Sequence, residues 1–60
     1  MSIVTHTYTQ GEYTARVFDD CYVEIETQGI VFDRPGPWDT HEGARQWAEI
    51  IVGKYALDGR

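Results

Sequence analysis

His6, His41 and Cys21 are the residues whose types could hold a metal or move a proton, and ten Asp and Glu residues stand among them. Their spacing decides against both uses. A structural zinc site needs four converging donors, usually paired two to five residues apart. Here His6 and His41 are far apart and Cys21 has no partner thiol. There is no C-x-x-C, H-E-x-x-H, phosphate-binding Gly-Lys loop, G-x-S-x-G or EF-hand pattern. Asp19 and Asp20 with Glu12 are too sparse for a calcium loop. Ser2 is the only serine, which argues against a serine nucleophile. The expectation is no catalytic residue, no metal ligand and no cofactor. His6 is then expected at the rim of a core with its ring hydrogen-bonded, His41 in solvent, and Cys21 as a small inert turn residue.

The elements that would position these residues begin with one helix. Ala44, Trp47, Ala48, Ile51, Val52, Tyr55 and Ala56 recur at helical spacing and form one stripe. Arg45, Gln46, Glu49 and Lys54 fall on the opposite side, and Ile50 at the flank. Asp39 or Thr40 is suited to cap the N-terminus, with Glu42 placed for a capping box. Gly43 and Gly53 each weaken the helix by roughly 1 kcal/mol relative to Ala, so it needs tertiary contact, expected through Trp47. The helix is placed at residues 39–57, after a rigid connector, residues 34–38, that contains Pro35 and Pro37.

Residues 3–33 read as a sheet. Ile3 to Gln10 alternates apolar or aromatic residues with Thr, a strand pattern. Gln10-Gly11 is read as a two-residue turn that sets Tyr8 opposite Tyr13, His6 opposite Ala15 and Val4 opposite Val17. A three-residue turn at Asp19, Asp20 and Cys21 keeps the faces consistent. It sets Val17 opposite Val23, Ala15 opposite Ile25 and Arg16 opposite Glu24, because a one-residue slip would reverse every side chain. Gln28-Gly29 repeats the two-residue turn and places Ile30 beside Thr27 and Phe32 beside Ile25. The fold class expected is α+β: a four-stranded antiparallel meander, the last strand a short edge, with one C-terminal helix packed on one face. The expected core is Val4, Tyr8, Tyr13, Ala15, Val17, Val23, Ile25, Ile30, Phe32, Ala44, Trp47, Ala48, Ile51, Val52 and Tyr55.

This order of elements resembles plant AP2-type DNA-binding domains and the arm-binding domains of tyrosine recombinases. The matching residues are Asp39, Thr40, Glu42, Ala44, Trp47 and Ala48, a helix opening on D-T-x-E-x-A. The resemblance implies a sheet with one free face. Those families lay that face in the major groove with several Arg and Lys. This chain offers Arg16 there, set among Glu12, Glu24 and Glu26, so the resemblance extends to the fold and not to DNA reading.

Size and charge bound the function further. Sixty residues make one small domain of marginal stability, which a partner subunit would help. The formal net charge of −5 repels phosphate backbones, making nucleic acid an unfavourable partner. No apolar run is long enough for a membrane span, and residues 1–10 lack the pattern of a signal peptide. The opening Met and the helix near the other end are expected of a complete small protein. A single thiol fits a reducing cytoplasm.

The surface expected to carry function is the sheet face away from the helix. Phe18 and Tyr22 face each other there, with Ile3 beside Phe18 and with Arg16, Glu24 and Glu26 around them. Clustered exposed aromatics mark contact surfaces. The expected function is therefore a non-enzymatic cytoplasmic interaction module. It would bind a protein partner, or a second copy as a homodimer, through that face or an edge strand. The alternative is an acidic inhibitor of the phage type that imitates nucleic acid in a basic groove. Glu12, Asp19, Asp20, Glu24, Glu26 and Asp33 stand against Arg16 alone before Arg34.

Overall fold

Four antiparallel strands lie in sequence order in one sheet, and one helix crosses one side of it. The strands are β1 (Val4–Gln10), β2 (Tyr13–Phe18), β3 (Val23–Thr27) and β4 (Ile30–Asp33), and the helix is α1 (His41–Asp58). This is a computed structural model that describes residues 2–58. The ββββα architecture is the one the alternation and the helical stripe require.

Each turn has a local cause. Gln28 and Gly29 both have positive φ, +53° and +80°, the conformation of a hairpin whose twist matches its strands. Between β2 and β3 the Cys21 N–H donates to the Phe18 carbonyl, and Cys21 itself sits at φ +69°. That is a tight turn closed by a left-handed residue, the three-residue hairpin form. It sets Val17 opposite Val23, Ala15 opposite Ile25 and Arg16 opposite Glu24, as the alternation requires.

The first hairpin differs from expectation. Its loop is Gly11-Glu12, so Gln10 faces Tyr13, Tyr8 faces Ala15 and His6 faces Val17. The pairing is shifted by two residues, which preserves the faces. A bulge then falls between Val4 and His6, and Val4 pairs with Phe18 instead of Val17. An extra residue reverses the alternation. Val4 thus leaves the core, 42% exposed.

A second bulge lies between Ile25 and Glu26, where Asp33, not Phe32, pairs with Ile25. Ile30 does sit opposite Thr27. Nevertheless Ile30 and Phe32 remain exposed, at 66% and 45%. The reason is coverage: the helix backbone packs over β2 and β1 and only marginally over β3, and reaches β4 through the Tyr55 ring alone. Phe32 only leans edge-on against Tyr13 and Tyr55.

The fully buried core is Ala15, Val17, Val23 and Ile25 from the sheet, with Ala44, Ala48 and Val52 from the helix. Tyr8, Tyr13, Trp38, Trp47, Ile51 and Tyr55 pack around it, partly buried. Small residues at every fourth position bring the helix down onto the sheet. Trp47 therefore flanks the contact and does not centre it, its ring 4.7 Å from that of Trp38. Ile50 stays in solvent. At the N-terminus Thr40 is the cap: its Oγ1 accepts the Gly43 N–H at 3.0 Å. The cap's reciprocal position is then Gly43, so Glu42 makes no capping box and binds Arg45 and Gln46 instead.

The connector is tied to the start of β3. The Val23 N–H donates to the Pro35 carbonyl and the Trp38 N–H to the Cys21 carbonyl. Gly36 has φ +127°, and a Cβ there would stand 3.1 Å from the Tyr22 Cα and ring. Glycine is what lets the chain pass this close.

Candidate functional site

The face away from the helix is built by β2 and β3. Phe18 stands at the end of β2, Tyr22 just before β3, and Arg16, Glu24 and Glu26 on the same side of the two strands. All five are half-buried. Val4, brought round by the first bulge, takes the place beside Phe18 that the alternation assigned to Ile3. Ile3 instead is tied to the next turn. Its carbonyl accepts the Asp19 N–H at 2.9 Å, and its N–H donates to Asp19 Oδ1 at 3.1 Å. Ser2 donates its hydroxyl to Asp20 Oδ2 at 2.7 Å. That hydroxyl is the main reason the Asp20 carboxyl lies below the ordinary aspartate value.

Arg34, a connector residue, completes this face. Its guanidinium lies over both the Phe18 and Tyr22 rings, 5.7 and 5.8 Å from their centroids. It also reaches Glu24 Oε2 at 3.5 Å. Arg16, directly across from Glu24, pairs diagonally with Glu26 instead. A diagonal partner two residues along is within reach of a long side chain. Each ion pair is partly exposed and contributes at most about 1 kcal/mol. Their larger effect is electrical. Two of the acids expected to project negative charge are each matched by an arginine, and the aromatic pair is covered by a cation.

β4 is a different surface. It is an edge strand, paired only with β3, and all four residues are exposed. Ile30, Val31 and Phe32 make it an apolar edge, at 66%, 46% and 45% exposure. In a two-residue hairpin the pair flanking the turn exchanges both hydrogen bonds. Val31, the next residue, therefore turns its N–H and carbonyl outward. No lysine or proline interrupts the strand.

A third group gathers where the first turn of α1 meets β1. The His41 Nε2 and Thr5 Oγ1 are 2.6 Å apart, and the His6 Nδ1 lies 3.2 Å from the same oxygen. The two imidazole centroids stand 5.3 Å apart, and His6 stacks at 6.4 Å on Tyr8. Arg45 donates to the Tyr8 hydroxyl at 3.2 Å and pairs with Glu42. Hydrogen bonding from Arg45 holds Glu42 below the ordinary carboxyl value, and Glu42 in turn raises Arg45. Arg45, assigned by the helical stripe to the far side, thus turns back to the sheet edge. The stripe and the alternation each placed their own histidine, but neither says that the helix runs alongside β1. That course is visible in the approach of Ala56 to Gly11 and of Gly53 to Gln10.

Among the described residues, no group of three or more His, Cys, Asp and Glu converges on one point, and no pocket opens in the surface. No helix among them is long and apolar enough to cross a membrane. Comparison of the chain with protein-family models, with curated proteins and with solved structures gives no match.

Proposed function

We propose that the chain is a small non-enzymatic interaction module whose working surface is the outer edge of β4, completed by a strand from another polypeptide. The observation that carries this is the apolar, uncovered edge formed by Ile30, Val31 and Phe32. An edge strand offers a row of backbone donors and acceptors, and proteins that keep such edges to themselves usually blunt them with Lys, Pro or a covering element. Here the helix meets β4 only through the Tyr55 ring on Phe32, leaving its outer edge uncovered, and the prolines come only after the strand. Strand addition uses the main chain for affinity and alternate side chains for selection. A second copy is the occupant favoured by size. Antiparallel pairing of β4 with its own copy would extend a seven-residue core that is small for independent stability.

The free face supports this reading less well, because Arg34 already covers its aromatic pair. The acidic-decoy reading is weakened by the same arginines, which offset Glu24 and Glu26.

Sedimentation velocity over a wide concentration range, on the wild type and Val31→Lys, tests the proposal. The wild type should associate as concentration rises, and the Val31 amide should exchange more slowly with solvent. Val31→Lys, which places a charge on the edge strand that discourages strand addition, should stay monomeric. A wild type that remains monomeric throughout, with unaltered exchange at Val31, refutes it.

A further inference from the structure

We infer that His6 and His41 together form a chelating site for a divalent transition-metal ion of the zinc, nickel or copper class. The argument starts from convergence. His41 Nε2 and His6 Nδ1 approach one oxygen, Thr5 Oγ1, at 2.6 and 3.2 Å. The hydroxyl proton of Thr5 is directed to the Val17 carbonyl at 3.1 Å. The oxygen therefore faces both rings as an acceptor, and each ring nitrogen is an N–H donor to it. A neutral imidazole carries one proton, which can sit on either nitrogen. Moving it to the other nitrogen of each ring leaves a lone pair on each of the two nitrogens that face Thr5 Oγ1. A metal takes both once the rings turn off that oxygen, since 2.6 Å between His41 Nε2 and Oγ1 leaves no room for an ion between them.

A metal held by two imidazoles at about 2.0–2.1 Å needs their nitrogens within about 4 Å of each other. Rings 5.3 Å apart between centroids, on exposed side chains or at their margin, reach that separation by side-chain rotation. Imidazole nitrogen selects borderline ions over magnesium or calcium, which prefer oxygen. Two protein ligands leave the remaining positions to water.

The surrounding charges are mixed. Arg45, four residues along the helix from His41, has its guanidinium turned onto Glu42 and the Tyr8 hydroxyl. The chain as a whole carries −5, which favours a cation.

The ligands come from β1 and α1, thirty-five positions apart in the chain, so the site exists only in the folded state. A ligand that binds only the folded state raises its stability by mass action. Zinc should therefore pin the first turn of the helix to the sheet edge, independently of anything bound at β4.

The test is a zinc titration of the untagged chain near neutral pH, followed by thermal melting and by the histidine ring resonances in NMR. One zinc per monomer should perturb both histidines and raise Tm in steps with zinc concentration, whereas magnesium should do neither. His6→Ala and His41→Ala lie at exposed or half-exposed positions and should fold, yet each should lose most of the shift. Val31→Lys should bind zinc as the wild type does. The inference is overturned if zinc leaves the histidine resonances unmoved or if the Tm shift survives in both alanine variants. It is also overturned if zinc binds only by joining two copies.

Discussion

Ile25 and Ile30 are the same residue five positions apart, both on the helix side of the sheet by alternation, and their truncation should differ sharply. Ile25 is the largest fully buried side chain, at 0% exposure, enclosed with Val17, Val23 and Ala15 against the helix alanines. Ile25→Ala removes three carbons from a site whose neighbours are backbone-bound on both sides, and should cost about 2–5 kcal/mol. A 60-residue chain has a total stability of about 3–9 kcal/mol at the usual 0.05–0.15 kcal/mol per residue. Ile25→Ala therefore removes a large share of it or all of it. Ile30 is 66% exposed because no helix lies above it, and Ile30→Ala should change stability by no more than about 0.5 kcal/mol. Urea denaturation at concentrations where the chain is monomeric reads both. With a slope of about 1 kcal/mol per molar for a small domain, Ile25→Ala should lower the midpoint by about 2 M or more, and Ile30→Ala by under about 0.5 M. Ile25→Val, at about 0.5–1.5 kcal/mol, supplies a folded variant if the alanine form is unfolded in buffer. Equal midpoint shifts for the Ile25 and Ile30 alanine variants would show that the helix also covers β4, and the exposed edge would disappear with it.

Thr40→Ala should lower stability by about 1 kcal/mol through loss of the Gly43 cap, measured as a fall in Tm, whereas Asp39→Ala should leave Tm nearly unchanged. Acid should release Ser2 from the β2–β3 turn. The Asp20 carboxyl is lowered in the fold by the Ser2 hydroxyl, so its contribution is present above the ordinary value of 3.8 and is lost as pH falls through the folded value below that. NMR shifts of the Ser2 and Asp20 signals should follow one titration below that value, and Ser2→Ala should move it upward.

Much of this fold can be read without coordinates because its causes are local. The three-residue turn between β2 and β3 follows from the need to keep Val17, Val23, Ala15 and Ile25 on one side. Gln28-Gly29 supplies a turn with positive φ at both positions. What alternation handles poorly is an inserted residue. The bulge between Val4 and His6 moves Val4 to the far face, and that between Ile25 and Glu26 removes Phe32 from its place beside Ile25. Neither bulge has a glycine or proline to announce it. The candidate surface was legible in Phe18, Tyr22, Arg16, Glu24 and Glu26, which do share a face. Arg34 was not, because a connector has no periodicity from which to infer a side.

From sequence alone came the order of elements, the inward side of most strand residues and the inward stripe of the helix. These depend on a period of two, a period of 3.6 and the φ preferences of single residues. Tertiary structure decided where the helix lies across the sheet. Its offset toward β1 follows from how Ala44, Ala48 and Val52 seat on β2, and from a connector bound to Cys21 and Val23. That offset leaves β4 exposed, gathers His6 and His41 around Thr5, and turns Arg45 back to Tyr8. No local pattern encodes it, because it is the joint solution of two surfaces packing at once.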